Sequence, residues 1–303
     1  MTAIFDCAVI GAGPAGLTAS LYLTRFRRSV IVADEGRSRA SWIPRSHNFP
    51  GFPQGVNGKE LLVRLKRQAE EFGCPEWAGG VQTLQRSEDG LWAVTLSDRQ
   101  VRARTILLAT GVVDRRPPLR DCDDAIKSAL LRFCPICDGF EAMSERIAVI
   151  GNDDHAARET LFLRSYSANM ALLSLGAHHI SRDFCERLTA SRVPIIAVRP
   201  DSLAIAGGKL VAIPLGGEGL EPFEVIYAAL GVEPQNQLAQ SIGAGADDSG
   251  CLAVDSHQQT RVPGVYAAGD VVRGLHQISV AIGEAAIAAT AIHNSLPPVP
   301  AQA

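Results

Sequence analysis

Phe5-Asp6-Cys7-Ala8-Val9-Ile10-Gly11-Ala12-Gly13-Pro14-Ala15-Gly16 joins an apolar run to a glycine turn and the start of a helix. A buried strand followed at once by Gly-x-Gly-x-x-Gly is the context in which this spacing carries information. Gly11 permits the tight turn, Gly13 lets a pyrophosphate approach the backbone, and Gly16 lets the helix pack closely on the strand. Free amides and the dipole at the helix start then favour the anion, beside Pro14 and Ala15. The pattern predicts a helix over residues 14–26, with Leu17, Leu21 and Leu23 inward, and a second strand over 29–33. That strand runs into Asp34-Glu35, about 20 residues on, where an acid that binds a ribose is expected.

Beyond it, a charged amphipathic helix is predicted over residues 59–72, and β-structure over 91–96 and 101–109, ending in Ala109-Thr110-Gly111. Near Pro117-Pro118 the pattern restarts. A strand over 146–150 meets a turn at Gly151, a helix continues to about 166, and strands follow over 170–175, 193–198 and 225–230. After Gly231-Val232-Glu233-Pro234 comes a last strand at 265–268, then Gly269-Asp270, then a helix of small residues over 277–293. A βαβ unit that occurs twice predicts an α/β fold of two three-layer Rossmann-like domains, the second inserted into the first. The expected boundaries are 1–116 with 236–303 for the outer domain and 117–235 for the inserted one.

Composition narrows the classes of function. The chain has 303 residues, 47% hydrophobic and 20% charged, with a formal net charge of −3, so it lacks the basic surplus that suits nucleic acid or an anionic membrane. No apolar stretch approaches the roughly 20 residues of a membrane span, and the N-terminus does not read as a signal peptide. Seven scattered cysteines, an odd number, do not form a secreted disulfide framework. A cytoplasmic setting is expected.

In that setting Cys134-Pro135-Ile136-Cys137-Asp138-Gly139 stands out. Two thiols three residues apart can close a disulfide, and at a helix start the leading thiol has a lowered pKa. The acid that follows can manage the proton that thiol–disulfide exchange moves. A dinucleotide site beside such a pair points to a flavin-dependent disulfide oxidoreductase. The competing reading is half of a zinc site, completed by His178, His179 or Cys185. Their spacing is far from that of a finger, and no metal is expected.

Asn48-Phe49-Pro50-Gly51, Ala109-Thr110-Gly111, Cys134-Pro135-Ile136-Cys137-Asp138-Gly139-Phe140 and Thr260-Arg261-Val262-Pro263-Gly264-Val265-Tyr266-Ala267-Ala268-Gly269-Asp270 occur in this order along the chain. Together they resemble the low-molecular-weight thioredoxin reductases of the two-dinucleotide-binding-domain flavoprotein superfamily. The resemblance implies an FAD held by Gly11, Gly13, Pro14, Ala15, Gly16, Asp34, Glu35, Asn48, Ala109, Thr110, Gly111, Gly269, Asp270, His276, Gln277 and Ile278. It places Asp270 at the ribitol and the following helix start at the pyrimidine side of the ring. By the same resemblance Cys137 receives the flavin's electrons, Cys134 attacks the substrate disulfide, and Asp138 is the acid/base. Thioredoxin or a similar small dithiol is the implied partner, and a homodimer the implied assembly.

The second nucleotide motif departs from the family. Gly-x-Gly-x-x-Ala is replaced by Gly151-Asn152-Asp153-Asp154-His155-Ala156, with a carboxylate at the middle glycine. Ser174-Leu175-Gly176-Ala177-His178-His179 carries no fixed cation where the 2′-phosphate of NADPH is gripped in the family. Ordinary NADPH use is therefore doubtful, and ferredoxin is another candidate donor. His276-Gln277 replaces the usual Arg-Gln. Two alternatives stay open: a flavin-dependent oxidase of a small-molecule dithiol that uses O2, and a non-catalytic flavin redox sensor.

Overall fold

Short runs rich in Val, Ile, Leu and Ala carry the strands, and the longer helices between them bury part of their surface against the sheets. The computed structural model describes residues 3–217, 219, 220 and 222–300. In chain order the elements are β1 (Ile4–Ile10), α1 (Pro14–Arg25), β2 (Val30–Asp34), α2 (Gly58–Glu70), β3 (Glu76–Ala78), β4 (Thr83–Arg86), β5 (Trp92–Thr95), β6 (Gln100–Leu108), β7 (Val112–Asp114) and α3 (Cys122–Lys127). They continue as β8 (Leu131–Arg132), α4 (Pro135–Asp138), β9 (Ile147–Ile150), α5 (Asp154–Leu163), β10 (Met170–Leu175), α6 (Arg182–Ala190) and β11 (Ile195–Val198). The last are β12 (Ala204–Ala206), β13 (Lys209–Val211), β14 (Val225–Ala228), β15 (Val232–Pro234), α7 (Gln237–Ser241), β16 (Val265–Ala267) and α8 (Ile278–Ser295).

The chain divides into two compact units. The first comprises Met1–Trp42, Val56–Val113 and Glu233–Ala303. Its sheet runs β3-β2-β1-β6-β5-β4, with β16 also paired to β6. Strands β3, β2, β1, β6 and β16 are parallel, whereas β4 and β5 form an antiparallel meander with the first half of β6. Once β5 has left the edge of β6, β16 takes its place, with Val265 opposite Ile106 and Ala267 opposite Leu108. One face of the sheet packs on α1 and α8, where Leu17, Ala19, Leu23, Ala285, Ala288 and Ile292 are buried. The other face is closed by Trp92, Val94, Leu96 and the segments around Ala239 and Leu252. Alanines along α8 allow its close approach to the sheet layer, since they add little bulk.

The second unit comprises Ile43–Gly55 and Asp114–Val232. The five strands of its main sheet, in the order β11-β10-β9-β14-β8, are all parallel. Strands β9 and β14 are buried along their whole length, as expected of a parallel sheet covered on both faces. Both units are Rossmann-like, as the sequence predicts. Their limits fall after Val113 and Val232, against expected limits of 116 and 235. Segment Ile43–Gly55, which contains Asn48, groups with the second unit rather than with the outer one. Within that unit Asn48 Nδ2 donates to the carbonyl of Ile136 at 3.3 Å. Strand β4 and the hairpin of β12 and β13 are not legible in the sequence, because their runs are too short for a period of two to register. Among the described residues no helix is long and apolar enough to cross a membrane.

Candidate active site

In the first unit the predicted cofactor residues gather at the carboxyl ends of β1, β2, β6 and β16, where ligands bind in open α/β sheets. Gly11 has φ +105°, and a Cβ there would lie 2.3 Å from the carbonyl oxygen of Ala109. A Cβ on Gly16 would lie 1.8 Å from the carbonyl oxygen of Gly11. Both glycines are therefore required by the protein's own packing. Gly13 differs, because a Cβ there would meet only Ser38 Oγ at 3.3 Å. Helix α1 starts beyond it at Pro14, and no side chain caps its first turn. Space at Gly13 over the amides of Ala15 and Gly16 suits the pyrophosphate of FAD.

The acids around this turn have partners. Asp34 Oδ1 accepts from the amide of Ala12 at 2.8 Å and Oδ2 from that of Gly36 at 2.7 Å, so this carboxylate ties the glycine loop to β2. Glu35 is more exposed and pairs with Arg37. At the end of β6, Thr110 Oγ1 donates to the carbonyl of Gln235 at 2.6 Å, while the Gly111 carbonyl accepts from Gln235 N at 2.9 Å. Gly269, at φ +81°, donates its amide to Glu284 Oε2 at 2.8 Å. Asp270 pairs with Arg39 at 2.9 Å. Burial, followed by the neighbouring Asp270, pushes the Glu284 carboxyl up, against the hydrogen bond from Gly269. Helix α8 begins at Ile278 with Gln277 as its N-cap, and no side chain bonds its first turn; Gln277 Nε2 donates to the carbonyl of His276. Arg39 and Glu284, which contact the candidate residues Asp270 and Gly269, are not revealed by the sequence motifs.

In the second unit Cys134 and Cys137 are joined as a disulfide, with their Cα atoms 5.3 Å apart. Cys134 caps the single turn of α4, and its Sγ accepts from the amide of Cys137 at 3.2 Å. Both cysteines are half-buried, and Ile136, Phe140 and Met143 beside them are exposed. Asp138 closes the turn. The Tyr227 hydroxyl donates to Asp138 Oδ1 at 2.9 Å and lies 3.0 Å from the Asp138 carbonyl oxygen. Arg132 Nη1 donates to the same carbonyl at 2.8 Å. Burial raises the Asp138 carboxyl to about 6, although Arg132 and the Tyr227 hydrogen bond favour its ionised form. Asp138 is thus poised to exchange a proton near neutral pH. Tyr227 and Arg132 are likewise absent from the motifs. The remaining cysteines form no disulfide, and burial pushes the Cys7 thiol up to about 12. Among the described residues no group of three or more His, Cys, Asp or Glu could hold a metal ion.

The second glycine turn is filled by its own side chains. Asp153 is the N-cap of α5, and its Oδ1 accepts from the amides of His155 and Ala156, both at 3.1 Å. Asn152 Oδ1 accepts from the amide of Leu175 at 2.8 Å, and its carbonyl accepts from that of His179 at 2.6 Å. Asp154 Oδ1 accepts from the amide of Ser181 at 2.6 Å. The loop after β10 is thereby tied down onto the second glycine turn.

Two Rossmann-like units, one with a glycine cradle and the other with a bonded cysteine pair, define a nucleotide-dependent disulfide oxidoreductase. The chain belongs to the pyridine nucleotide-disulphide oxidoreductase family, whose model matches residues 5–285. Among curated relatives, the thioredoxin reductase of Listeria monocytogenes (serovar 1/2a, strain EGD-e) is 27% identical over 94% of this chain and 92% of its own length. The thioredoxin reductase of Streptococcus pyogenes MGAS5005 shares the fold, with a TM-score of 0.86 and 24% identity over 97% of this chain and 98% of its own. The atypical thioredoxin reductase TRi of Desulfovibrio vulgaris Hildenborough is 31% identical over 96% of this chain and 97% of its own, with a TM-score of 0.54. The chain is a thioredoxin reductase-like flavoprotein, an FAD-dependent disulfide oxidoreductase.

Proposed function

We propose that this enzyme exchanges electron pairs between substrate thiols or disulfides and Cys134–Cys137 without ordinary NADPH use. Bound FAD supplies the two-electron redox chemistry. Its holders in this reading are Gly11, Gly13, Pro14, Ala15, Gly16, Glu35, Asn48, Ala109, Thr110, Gly111, Gly269, Asp270, His276, Gln277 and Ile278, with Asp34 ordering the loop. Cys134 is the interchange thiol, and the amide of Cys137 aimed at its sulfur favours the thiolate. Cys137 is the partner on the flavin side, and Asp138 takes and returns the exchange proton. The substrate is thioredoxin or a similar small disulfide, the reductant a carrier such as ferredoxin, and the working form a cytoplasmic homodimer.

One observation carries the reading: the Asp153 carboxylate occupies the amides of His155 and Ala156, where a pyrophosphate would dock. A second anion there would meet that carboxylate and find its donors already used. The same observation supports a second reading, an oxidase that takes electrons from a small-molecule dithiol and passes them to O2.

Anaerobic titration followed at the flavin absorbance band tests both. The proposal expects no bleaching with NADPH and bleaching with reduced ferredoxin, followed by reduction of a thioredoxin disulfide. Bleaching by dithiols alone, with recovery in air and peroxide formation, would establish the oxidase instead. Stoichiometric bleaching by NADPH at micromolar concentration would overturn the NADPH-independent reading. Silence with every donor would leave a sensor.

A further inference from the structure

We propose that Tyr227 and Arg132 are positioning residues of the redox centre, which hold the Asp138 carboxyl in place for proton exchange with the adjacent cysteine pair. The inference rests on Asp138 being the acid/base of that exchange.

The sheet brings the two together. Strand β14 pairs in parallel with β8, and Tyr227 stands opposite Arg132 in the register. Tyr227 is wholly buried in an otherwise apolar strand, Val225-Ile226-Tyr227-Ala228. A hydroxyl in that place is costly unless it is bonded, whereas phenylalanine would fill the same space at no such cost. Its proton goes to Asp138 Oδ1 at 2.9 Å, and its oxygen lies 3.0 Å from the Asp138 carbonyl oxygen. Arg132 Nη1 holds the same carbonyl at 2.8 Å and reaches the Tyr227 oxygen at 3.4 Å, while Nε is fixed on the carbonyl of Ala129 at 3.0 Å. The single turn of α4 has too few hydrogen bonds to orient its last residue alone. Asp138 is thereby anchored to two neighbouring strands of the sheet.

The groups that face Asp138 are Arg132 from β8, Tyr227 from β14 and Glu141 from the turn after α4. Helix α5 also packs on α4, yet among the described residues it adds no charge to this balance. Burial and Glu141 favour the protonated acid; Arg132 and the Tyr227 hydrogen bond favour the carboxylate. Loss of the hydroxyl therefore moves the balance toward the acid.

When a dithiol reduces the Cys134–Cys137 disulfide, its first thiolate bonds to Cys134 as the Cys134–Cys137 bond breaks, and the Cys137 thiolate takes the proton of Asp138. The second substrate sulfur then displaces Cys134, and the substrate leaves as a disulfide, oxidised by two electrons. Its proton restores Asp138 through solvent.

The test is single-turnover reduction of the disulfide in the holoenzyme by dithiothreitol, followed by acid quench and mass-resolved thiol labelling from pH 4.5 to 9. Rates are divided by the thiolate fraction of the reagent. The wild type should lose rate above a break near pH 6, following the protonated fraction of Asp138. Asp138→Asn should abolish the break. Tyr227→Phe should move the break up by about one pH unit, which makes the corrected rate at pH 7 about fivefold faster than wild type. Arg132→Gln should move it the same way, and it decides the matter if Tyr227→Phe fails to fold. A merely structural role would scale the rate alike at every pH. A break abolished by Asp138→Asn but unmoved by the other variants overturns the positioning roles and leaves Asp138 in its own. A break that survives Asp138→Asn overturns both.

Discussion

Asp153 Oδ1 lies 3.1 Å from the amide nitrogen of Ala156 and accepts its hydrogen bond. This is a helix cap built at the middle position of the second glycine turn, and it can be separated from any effect on ligands. Asp153→Ala should cost about 1 kcal/mol of stability, whereas Asp153→Gly should cost only a few tenths, because glycine is tolerated at an N-cap. Denaturant unfolding of the two variants measures this. Asp153→Gly should also gain calorimetric heat with ADP-ribose, a pyrophosphate ligand without the reducing ring. If neither change appears, the cap does not block the turn.

The three glycines near the N-terminus should separate by function. Gly11→Ala and Gly16→Ala drive a Cβ into backbone oxygens at 2.3 Å and 1.8 Å, so each should cost more than about 2 kcal/mol or abolish soluble expression. Gly13→Ala meets only a side-chain hydroxyl at 3.3 Å and should fold. Its stability without flavin should fall by about 1 kcal/mol at most, the difference between glycine and alanine at an N-cap. Its flavin content, read from the absorbance ratio at 450 and 280 nm in the purified protein, should nevertheless drop sharply. A fully loaded Gly13→Ala protein would argue that the pyrophosphate does not approach there.

The contrast among these glycines shows what a sequence can disclose. Gly-x-Gly-x-x-Gly is legible because its demands are local: a turn, a helix start and one packing contact lie within six residues. The Cys134–Cys137 pair is legible for the same reason. Arg132 and Tyr227 meet across 95 positions of sequence, and Arg39 and Asp270 across 231. Those contacts depend on which strands become neighbours and in which register, and no local period encodes that. Tyr227 reads along the chain as one more apolar strand residue. Likewise Asn48 sits in a legible motif, but its contact with the Ile136 carbonyl depends on where a long loop comes to rest.

Arg39 is tied to one carboxylate of a neighbouring pair. It pairs with Asp270 at 2.9 Å, and Asp270 in turn pushes up the half-buried Glu284. A carboxyl with a raised folded pKa contributes stability in its protonated form, which is lost as pH rises through that pKa. Glu284→Gln keeps an acceptor for the Gly269 amide and removes the charge. It should therefore melt higher than wild type at pH 8, with a smaller difference at pH 4.5. Arg39→Gln takes from Asp270 the cation paired with it, leaves its repulsion of Glu284 stronger, and should lower the melting temperature most at pH 8. Equal shifts at the two pH values would mean that Glu284 does not titrate as its surroundings require.

Asp138 should leave its own mark on stability. Its carboxyl is raised from an ordinary 3.8 to about 6, mainly by burial. The folded state therefore favours the protonated acid, and that preference is fully expressed below pH 3.8 and lost as pH rises through about 6. Above that range the unfilled demand for a proton opposes folding by an amount on the order of 3 kcal/mol, since each tenfold change in proton affinity corresponds to about 1.4 kcal/mol. Asp138→Asn removes the titration while its amide oxygen can still accept from Tyr227. Relative to wild type the variant should be more stable, and its advantage should grow by roughly 1–1.5 kcal/mol between pH 5 and pH 8. Urea unfolding at the two pH values, with flavin saturation held constant, measures that growth. An advantage that stays constant with pH would mean Asp138 is already ionised at pH 5, and would remove it as a proton donor near neutrality.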